Sequence, residues 1–518
     1  MEALVKKIKE NKILLSLLLV HFIINISYLT KFPFVHSDES WLGGLSRNIM
    51  EKGDYSVTET FFDLYPRYPH AIKAIFHTIQ ILFIKIFGYR IFSVRFMSLI
   101  FSMFIIYFFY KLSKNILKDS KIAFISLTLL VSDIQFIYVS HFARQEIVIL
   151  FALIVGLYFF YTHREGHKIK DDIVLGAIVG LSIGIHPNSF IISICFGLIY
   201  VYSIFINKDI KIKNLIVYGT IVSIFAGIFV LISLSFNSNF FQDYFNYGKE
   251  FGVDYSLSDK ISGVKYFYYK LYHGIGGTYY LPNIKLQFWI FGAVFITAIF
   301  KLAYKREKYY IEVIPPVMLA IVAINIGIIL IGRYNQTSIV FQFPLFYLLL
   351  TYVVGGLKKN YKYIFMGLLW VAIIINSVLN IKPYLDNSYS KYLKEVSKVV
   401  KEDDVVLANL NLEFYFDNGK LYDYRNLAFL KDNNISFKDY IIKNNIKYII
   451  YPEEMDMIYK EQPRWDGLYG KLNYYEDMQI FLKNRCELKY EFRDKTYGNR
   501  IARYVNDKEW KIKIYKVK

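Results

Sequence analysis

Residues 36–55, HSDESWLGGLSRNIMEKGDY, place two adjacent carboxylates, Asp38 and Glu39, directly after an apolar run. A carboxylate at such a position can act as a general base toward a hydroxyl group or can hold a divalent metal ion. Asp38 could instead cap the helix that SWLGGLSRNIMEKG predicts, which is a purely structural role. Which role applies depends on the groups that the fold brings to these two acids.

Further ionisable or polar residues stand at the ends of apolar runs. They are Arg67, Arg90, Arg95, His141, Arg144, Glu146, His186, Arg333 and Tyr334. Clustered arginines suit a phosphate group, because the guanidinium fork matches phosphate oxygens and stays charged. Taken singly, each has a structural interpretation: Arg90 and Arg95 could reach lipid head groups, His186 could end a helix, and Glu146 could only pair with Arg144.

The elements that carry these residues are predominantly apolar. The chain has 518 residues, of which 55% are hydrophobic, and its formal net charge is +19. Apolar runs of about 18 to 22 residues predict a polytopic α-helical membrane protein. We predict about eleven spans, near 13–30, 91–110, 122–140, 146–162, 173–186, 189–206, 214–236, 286–302, 311–331, 338–355 and 361–381. AIKAIFHTIQILFIKIFG is predicted to lie at the membrane interface.

The positive charge lies mainly in short loops between spans, which indicates orientation in a bilayer and no nucleic-acid partner. The rich loops contain Lys111 to Lys121, Arg164 to Lys170, Lys208 to Lys213, Lys301 to Lys308 and Lys358 to Lys362, and the N-terminus contains Lys6, Lys7, Lys9 and Lys12. The positive-inside rule assigns these loops and the N-terminus to the cytoplasm. Asp38, the other polar span ends and the C-terminal tail are then extracytoplasmic. Ionisable groups at one level predict a water-filled cavity.

Two domains are predicted. Residues 1–383 form a transmembrane domain whose first outer loop, 31–74, carries the two acids. Residues 384–518 alternate between helix and strand patterns, as in YLKEVSKVVKEDDVVLANL and WKIKIYKV, and predict an extracytoplasmic α/β domain. The aromatic loop 237–285 is also placed outside, where it lies on the membrane or covers a site.

Several segments, in order along residues 10–385, resemble GT-C glycosyltransferases. They are DESWLGGLSRNIMEKGDY, IFGYRIFSVRFMSLIFSM, SHFARQEIVILFALIVGLYFF, GLSIGIHPNSFII and RYNQTSIVFQFPLFYLL. The group they resemble most contains dolichyl-phosphate-mannose–protein mannosyltransferases and the aminoarabinose transferase of lipid A. The chain departs from that group at Arg67-Tyr68-Pro69-His70, where members often have Lys-Pro-Pro, and at Gln145, where many have Pro.

The resemblance implies a membrane enzyme that transfers a sugar from a polyprenyl-phosphate donor to an extracytoplasmic protein, lipid or surface glycan. Asp38 would be the general base, and Glu39 would orient it or bind the acceptor. Arg144, Arg95, Arg333 and Arg67 would bind the donor phosphate, supported by Glu146, His186 and Tyr334. Some family members use Mg²⁺ or Mn²⁺, which Asp38 and Glu146 would hold here. The alternative is a transporter or flippase of a lipid-linked or anionic substrate, which would also place charges in a cavity.

Overall fold

The computed structural model describes residues 2–249, 252–304 and 308–518 of the chain. Its first part is helical and its last part contains a small sheet. The helices of the first part are α1 (Glu2–Ser27), α2 (Ser37–Lys52), α3 (Ala74–Phe87), α4 (Ile91–Leu117), α5 (Ser120–Val131), α6 (Ile134–His141), α7 (Glu146–Thr162), α8 (Ile169–Ile183), α9 (Ser189–Tyr202), α10 (Ile212–Phe236), α11 (Phe240–Lys249), α12 (Leu257–His273), α13 (Lys285–Tyr304), α14 (Lys308–Ile331), α15 (Phe343–Gly355) and α16 (Lys359–Ile381). A π-helical turn, Ser203–Asn207, extends α9, and a 3₁₀ segment, Gln336–Gln342, leads into α15.

Seven helices among the described residues are long and apolar enough to cross a membrane, or eight if α5 and α6 form one span. Shorter apolar helices cover Asn11–Ser27, Ala74–Phe87 and Glu146–Thr162. The chain is therefore a multi-pass membrane protein, whereas the count of eleven spans stays a prediction. The expected interfacial segment does form a helix, α3.

The predicted span 122–140 is not one straight helix. It is broken into α5 and α6, whose axes differ by 62°. Asp133 causes the break, because its carboxylate accepts a hydrogen bond from Gln135 N at 2.7 Å and caps α6. Its other oxygen accepts hydrogen bonds from Tyr347 Oη at 2.6 Å and Gln287 Nε2 at 2.7 Å. The predicted uninterrupted span is corrected accordingly.

The basic loops contact one another. Arg164 Nε lies 2.6 Å from Asp209 Oδ2, which joins the α7–α8 loop to the α9–α10 loop. Asn115 Nδ2 donates to Thr162 Oγ1 at 3.2 Å, joining α4 to α7 at the same end. These contacts agree with the prediction that the lysine-rich loops lie on one side of the membrane. Lys305 and Arg306 of the predicted loop set lie outside the described residues.

The last part of the chain is the expected α/β unit. Its helices are α17 (Tyr389–Ser397), α18 (Phe437–Lys443), α19 (Glu454–Glu461) and α20 (Tyr475–Arg485), and its strands are β1 (Val406–Ala408), β2 (Leu421–Asp423), β3 (Tyr448–Pro452), β4 (Cys486–Asp494) and β5 (Trp510–Val517). The strand order is β2-β1-β3-β5-β4. β1 runs parallel to β2 and β3, and β5 runs antiparallel to β3 and β4.

The α/β unit packs on the first outer loop. Asn426 Oδ1 accepts backbone hydrogen bonds from residues 63, 64 and 65 at 3.1 to 3.4 Å, and Asn426 Nδ2 donates to Phe61 O at 2.9 Å. Arg47 of α2 donates to Phe416 O at 2.7 Å and forms a buried ion pair with Glu413. One apolar core continues from the membrane helices into this unit. The predicted domain boundary between residues 383 and 384 therefore stays a prediction.

The close approach of loop and helix requires a glycine in α2. A Cβ atom on Gly44 would lie 2.6 Å from the Phe61 ring, which is fully buried. A larger residue there would push the first outer loop away from α2, because buried rings at such a contact cannot move without loss of packing. The loop is thus held between α2 and the α/β unit, and its acids have fixed positions.

Candidate active site

The start of α2 separates the two acids. His36 is the N-cap, and its Nδ1 accepts a hydrogen bond from Asp38 N at 3.0 Å. Glu39 completes a capping box, because its Oε2 accepts from His36 N at 3.0 Å. The interpretation of Asp38 as the helix cap is therefore wrong: His36 and Glu39 cap α2, and the Asp38 carboxylate makes its contacts elsewhere.

Asp38 contacts groups from two distant segments. Its Oδ2 lies 2.9 Å from Arg144 Nη1, between α6 and α7, and accepts a hydrogen bond from Tyr279 Oη, in the loop after α12. Arg144 Nη1 also donates to Tyr279 Oη at 2.8 Å, and Arg144 Nη2 lies 3.3 Å from Glu146 Oε1. One guanidinium thus bridges both carboxylates. Asn335 Nδ2, which follows α14, donates to the same Glu146 oxygen at 2.9 Å.

The surroundings keep Asp38 ionised. Burial disfavours the charged form, but Arg144 and His36 outweigh burial and hold the pKa of Asp38 well below its usual range. Burial lowers the pKa of His36 to about 4, although Asp38 opposes this shift. At neutral pH the pair is therefore a carboxylate beside a neutral imidazole, whose Nε2 contacts Thr278 Oγ1 at 3.0 Å.

Glu39 has a different environment. It forms a bidentate pair with Arg95, with distances of 2.8 Å for Nε–Oε1 and 2.7 Å for Nη2–Oε2, and both side chains are fully buried. Arg95 Nη1 donates to the carbonyl oxygens of Leu29 and Pro33, and Glu39 Oε1 accepts from Ala143 N. The expectation that Arg95 binds phosphate, and that Glu39 contacts the acceptor, is corrected: their polar atoms are already satisfied inside the protein.

Asp38 lines a polar cavity of about 720 Å³ between the membrane helices and the α/β unit. The other ionisable lining residues in the described part of the chain are His36, Arg67, Lys73, Arg144, His186, Tyr65, Tyr247, Tyr279, Arg333, Arg425, Lys471 and Arg500. Asp38 is thus the single carboxylate among seven cationic side chains on this lining. Such a cavity favours an anionic ligand.

A second cavity, of about 730 Å³, has mostly apolar walls from α8, α10, α11 and α14. Phe190, Phe241 and Phe245 on its walls are 55%, 61% and 51% exposed, as expected of a surface that faces lipid. The two cavities share lining residues, namely Tyr65, Arg67, Lys73, His186, Tyr247, Arg333 and Phe429. An apolar cavity therefore meets a polar one where Arg67, Lys73 and Arg333 converge.

Of the remaining predicted site residues, some line the junction of the two cavities and others lie elsewhere in the protein. Arg67 and His186 line both cavities; Arg67 also forms a bidentate ion pair with Glu59, at 3.0 Å for both contacts. Tyr334 lines neither: its hydroxyl donates to Lys260 O in α12, which corrects its predicted supporting role. His141 is buried against Asn25 and Phe32 O, and Arg90 is exposed at the start of α4.

Several residues that the sequence did not single out line the polar cavity, and four of them matter for the charge of the cavity or for the contacts of Asp38. They are Lys73, Tyr279, Arg425 and Arg500. Burial, Arg67 and Arg333 together lower the pKa of Lys73 to about 7. Tyr279 belongs to the aromatic loop, where many tyrosines gave no basis for choosing one. Arg425 and Arg500 lie 76 and 151 residues after the end of the last predicted motif at residue 349, and no local signal connects them with Asp38.

The donor set at Asp38 and Glu146 does not fit the divalent metal that the resemblance allowed. Mg²⁺ and Mn²⁺ prefer six oxygen ligands. Here the two carboxylates bind one guanidinium between them. Among the described residues no group of three His, Cys, Asp or Glu side chains is placed to hold a metal ion.

Comparisons with known proteins concern the fold and the family. The family model described as dolichyl-phosphate-mannose-protein mannosyltransferase matches residues 74–233, a range that excludes Asp38. No curated protein matches the chain by sequence.

Solved structures match most of the chain. ArnT from Cupriavidus metallidurans, bound to undecaprenyl phosphate, matches with a TM-score of 0.53 and 12% identity, over 85% of this chain and 95% of that one. AglB, an archaeal oligosaccharyltransferase from Archaeoglobus fulgidus, in complex with an inhibitory peptide and a dolichol-phosphate, matches with a TM-score of 0.53 and 14% identity, over 89% and 72%. The predicted GT-C-like membrane fold is therefore confirmed.

Proposed function

We propose that this protein is a membrane glycosyltransferase that moves a sugar from a polyprenyl-phosphate donor to an extracytoplasmic acceptor. The observation that carries the proposal is the junction of an apolar and a polar cavity at Arg67, Lys73 and Arg333, with Asp38 on the polar side. Such a shape fits an amphipathic substrate with an anionic group between an isoprenoid tail and a sugar.

The donor phosphate binds at the junction, because guanidinium and ammonium groups are the usual partners of phosphate oxygens. The isoprenoid tail follows the apolar cavity toward the exposed phenylalanines, where it continues into the bilayer. The sugar then projects into the polar cavity, toward Arg144 and Asp38. Arg144 Nε is buried and has no hydrogen-bond partner among the described residues, so the guanidinium retains a donor for a phosphate oxygen.

In the transfer step the acceptor hydroxyl oxygen attacks the anomeric carbon while the bond from that carbon to the phosphate oxygen breaks. Asp38 takes the hydroxyl proton, and polyprenyl phosphate leaves with the bonding electron pair. Attack from the side opposite the phosphate inverts the anomeric configuration. When the phosphate binds Arg144, that cation is shared with Asp38, the pKa of Asp38 rises, and the carboxylate becomes a better base.

The comparisons support the donor class. The matching family model is named for an enzyme that uses a dolichyl-phosphate sugar, and two of the matching structures contain undecaprenyl phosphate or dolichol-phosphate. The positive-inside rule places the basic loops and the N-terminus in the cytoplasm and the Asp38 side outside. The proposed enzyme therefore acts in the plasma membrane with its α/β unit extracytoplasmic.

The test is Asp38→Asn, which keeps the size of the side chain and removes its charge. We expect transfer to fall about 10²- to 10⁴-fold, the usual contribution of a positioned base. The measurement is release of polyprenyl phosphate from lipid-linked sugar by the purified protein. Asp54→Asn is the matched control, because Asp54 is exposed in the same loop and its hydrogen bonds are to Ser56.

Full activity of Asp38→Asn would remove the base assignment. If the wild-type protein moved intact lipid-linked sugar across vesicles and cleaved none, the transporter alternative would replace the enzyme.

A further inference from the structure

We propose that Arg425 and Arg500 form a binding site for an anionic group, a carboxylate or a phosphate, carried by the acceptor. The proposal deepens the function above and rests on it, because it concerns the second substrate of the same cavity. It assigns to the α/β unit the selection of acceptors by charge.

The two arginines lie on the Asp38 side of the junction. Both line the polar cavity, and neither lines the apolar cavity that receives the tail. Arg500 Nη2 donates to Ser37 Oγ at 3.2 Å, and Ser37 immediately precedes Asp38. An acceptor that presents a hydroxyl to Asp38 therefore passes these guanidinium groups.

The Arg425 guanidinium is held in place but not saturated. Its Nε donates to Asp423 Oδ1 at 2.7 Å, and its plane lies over the rings of Trp41 and Phe62, at 4.7 and 4.9 Å from their centroids. Nη2 is buried, and no residue of the described chain accepts a hydrogen bond from it. A buried donor without a partner is costly, and an anion at this position would satisfy it.

The positive charge of Arg500 is compensated even less than that of Arg425. Its guanidinium contacts Leu468 O and Ser37 Oγ, which are neutral groups. Within the part of the chain that the structure covers, no carboxylate oxygen lies within 4 Å of it. The nearby Glu454 oxygens instead accept the backbone N–H groups of Arg500 and Ile501. Burial and the neighbouring Arg425 lower the pKa of Arg500, as expected for two cations placed together.

The charge balance of the cavity leads to the same site. Glu59 is paired with Arg67, Asp38 and Glu146 with Arg144, and Asp423 with Arg425, while the donor phosphate is assigned to the junction beside Lys73 and Arg333. Arg500 remains without a carboxylate oxygen within 4 Å among the described residues, Arg425 Nη2 stays unsatisfied, and the exposed Lys471 lies at the rim. A neutral acceptor would leave this excess positive charge uncompensated, whereas an acidic glycan or phosphorylated lipid would neutralise it.

The source of the anion follows from the direction of attack. In an inverting displacement the acceptor and the leaving phosphate occupy opposite sides of the anomeric carbon. The phosphate is assigned to the junction, so the groups beside Asp38 and away from the junction face the acceptor. An acidic group on the donor sugar is the competing source of the same chemistry, and the experiment separates the two.

The experiment compares two acceptors that differ in charge, octyl glucoside and octyl glucuronide, with purified full-length protein and its lipid-linked donor. We expect wild-type kcat/KM to favour the glucuronide about 10- to 100-fold, the range for charge-assisted hydrogen bonds. Arg425→Gln and Arg500→Gln should reduce that preference to about threefold or less, because kcat/KM for the glucuronide falls more than kcat/KM for octyl glucoside.

Arg503→Gln is the matched control, because Arg503 is exposed, lies three residues from Arg500 and does not line the cavity. Arg500→Lys keeps the charge and should retain part of the preference. Thermal unfolding in detergent checks that each variant is folded, and if one glutamine variant unfolds, the other glutamine variant carries the comparison.

Donor turnover without added acceptor distinguishes the outcomes. If Arg425→Gln and Arg500→Gln raise the donor KM, the anion belongs to the donor sugar and the acceptor assignment is overturned. Equal use of both octyl glycosides by the wild type would also overturn it. If the wild type released no polyprenyl phosphate with any acceptor, the proposed function itself would fail, which is a different result.

Discussion

Two ion pairs that begin one residue apart in α2 have opposite surroundings. Glu39 and Arg95 are fully buried and share every polar atom with protein groups. Asp38 and Arg144 lie on a cavity wall, and Asp38 is 25% exposed while Arg144 keeps an unsatisfied donor. A carboxylate–guanidinium pair is thus a structural tie where its hydrogen bonds are complete, and it is available to a ligand where they are not.

The largest effect should come from breaking the buried pair. Glu39→Gln leaves the Arg95 charge buried without its negatively charged partner. We expect a loss of about 3–5 kcal/mol in the free energy of unfolding. Thermal unfolding in detergent and yield of monodisperse protein measure it, with Glu51→Gln on the exposed face of α2 as control. An unchanged unfolding temperature would contradict the structural role of the Glu39–Arg95 pair.

Arg144→Lys should have the opposite profile. A lysine ammonium cannot span Asp38 and Glu146 as the guanidinium fork does, so both base and phosphate lose their positioning. We expect transfer to fall about 10- to 100-fold, while the free energy of unfolding changes less than in Arg95→Lys, because Asp38 faces the cavity and lysine keeps the charge. Arg95→Lys is the matched variant and should lose stability first. Equal destabilisation by the two substitutions would erase the distinction between the pairs.

Lys73 should make donor binding in the polar cavity depend on pH. Its pKa is lowered to about 7 by burial, Arg67 and Arg333, so the amine is charged below that pH and neutral above it. Donor affinity should therefore fall as pH rises: we expect the donor KM to increase about tenfold between pH 6 and pH 8. Lys73→Arg should abolish the dependence, because arginine stays charged. A donor KM that is flat in the wild type would exclude Lys73 from phosphate binding.

The smallest effect should come from Tyr279→Phe. This change removes the hydroxyl that donates to Asp38 and accepts from Arg144 but keeps the ring that stacks on His36 at 4.3 Å. We expect about a 3- to 10-fold decrease in transfer rate, the value of one or two hydrogen bonds, with unchanged unfolding. Tyr255→Phe, on an exposed tyrosine of the same aromatic loop, is the control. A loss as large as that of Asp38→Asn would make Tyr279 part of the proton transfer.

The sequence predicted the elements better than the site. Long apolar runs and helix–strand alternation gave the membrane helices and the α/β unit, because periodicity reports burial directly. The Asp133 break was missed, since one polar residue in an apolar run does not reveal that its side chain caps a new helix.

Within the site, residues adjacent to span ends were predictable and their roles were not. Arg95 and Arg144 look alike in sequence, yet one is saturated by Glu39 and two carbonyl groups and the other faces the cavity. Such a difference depends on tertiary contacts. For the same reason Arg425 and Arg500 could not be associated with Asp38: about 390 to 460 residues separate them along the chain, and only the docking of the α/β unit on the first loop brings them together.

That docking also sets an order of events during biogenesis. The wall formed by Arg425 and Arg500 follows α16 along the chain, so a ribosome-bound chain that has inserted α1 to α16 still lacks it. In such an intermediate the loop that carries Asp38 also lacks its contacts with the α/β unit. Under the proposed function, truncation by a premature stop codon after α16 would yield an inserted protein whose cavity lacks the wall assigned to the acceptor.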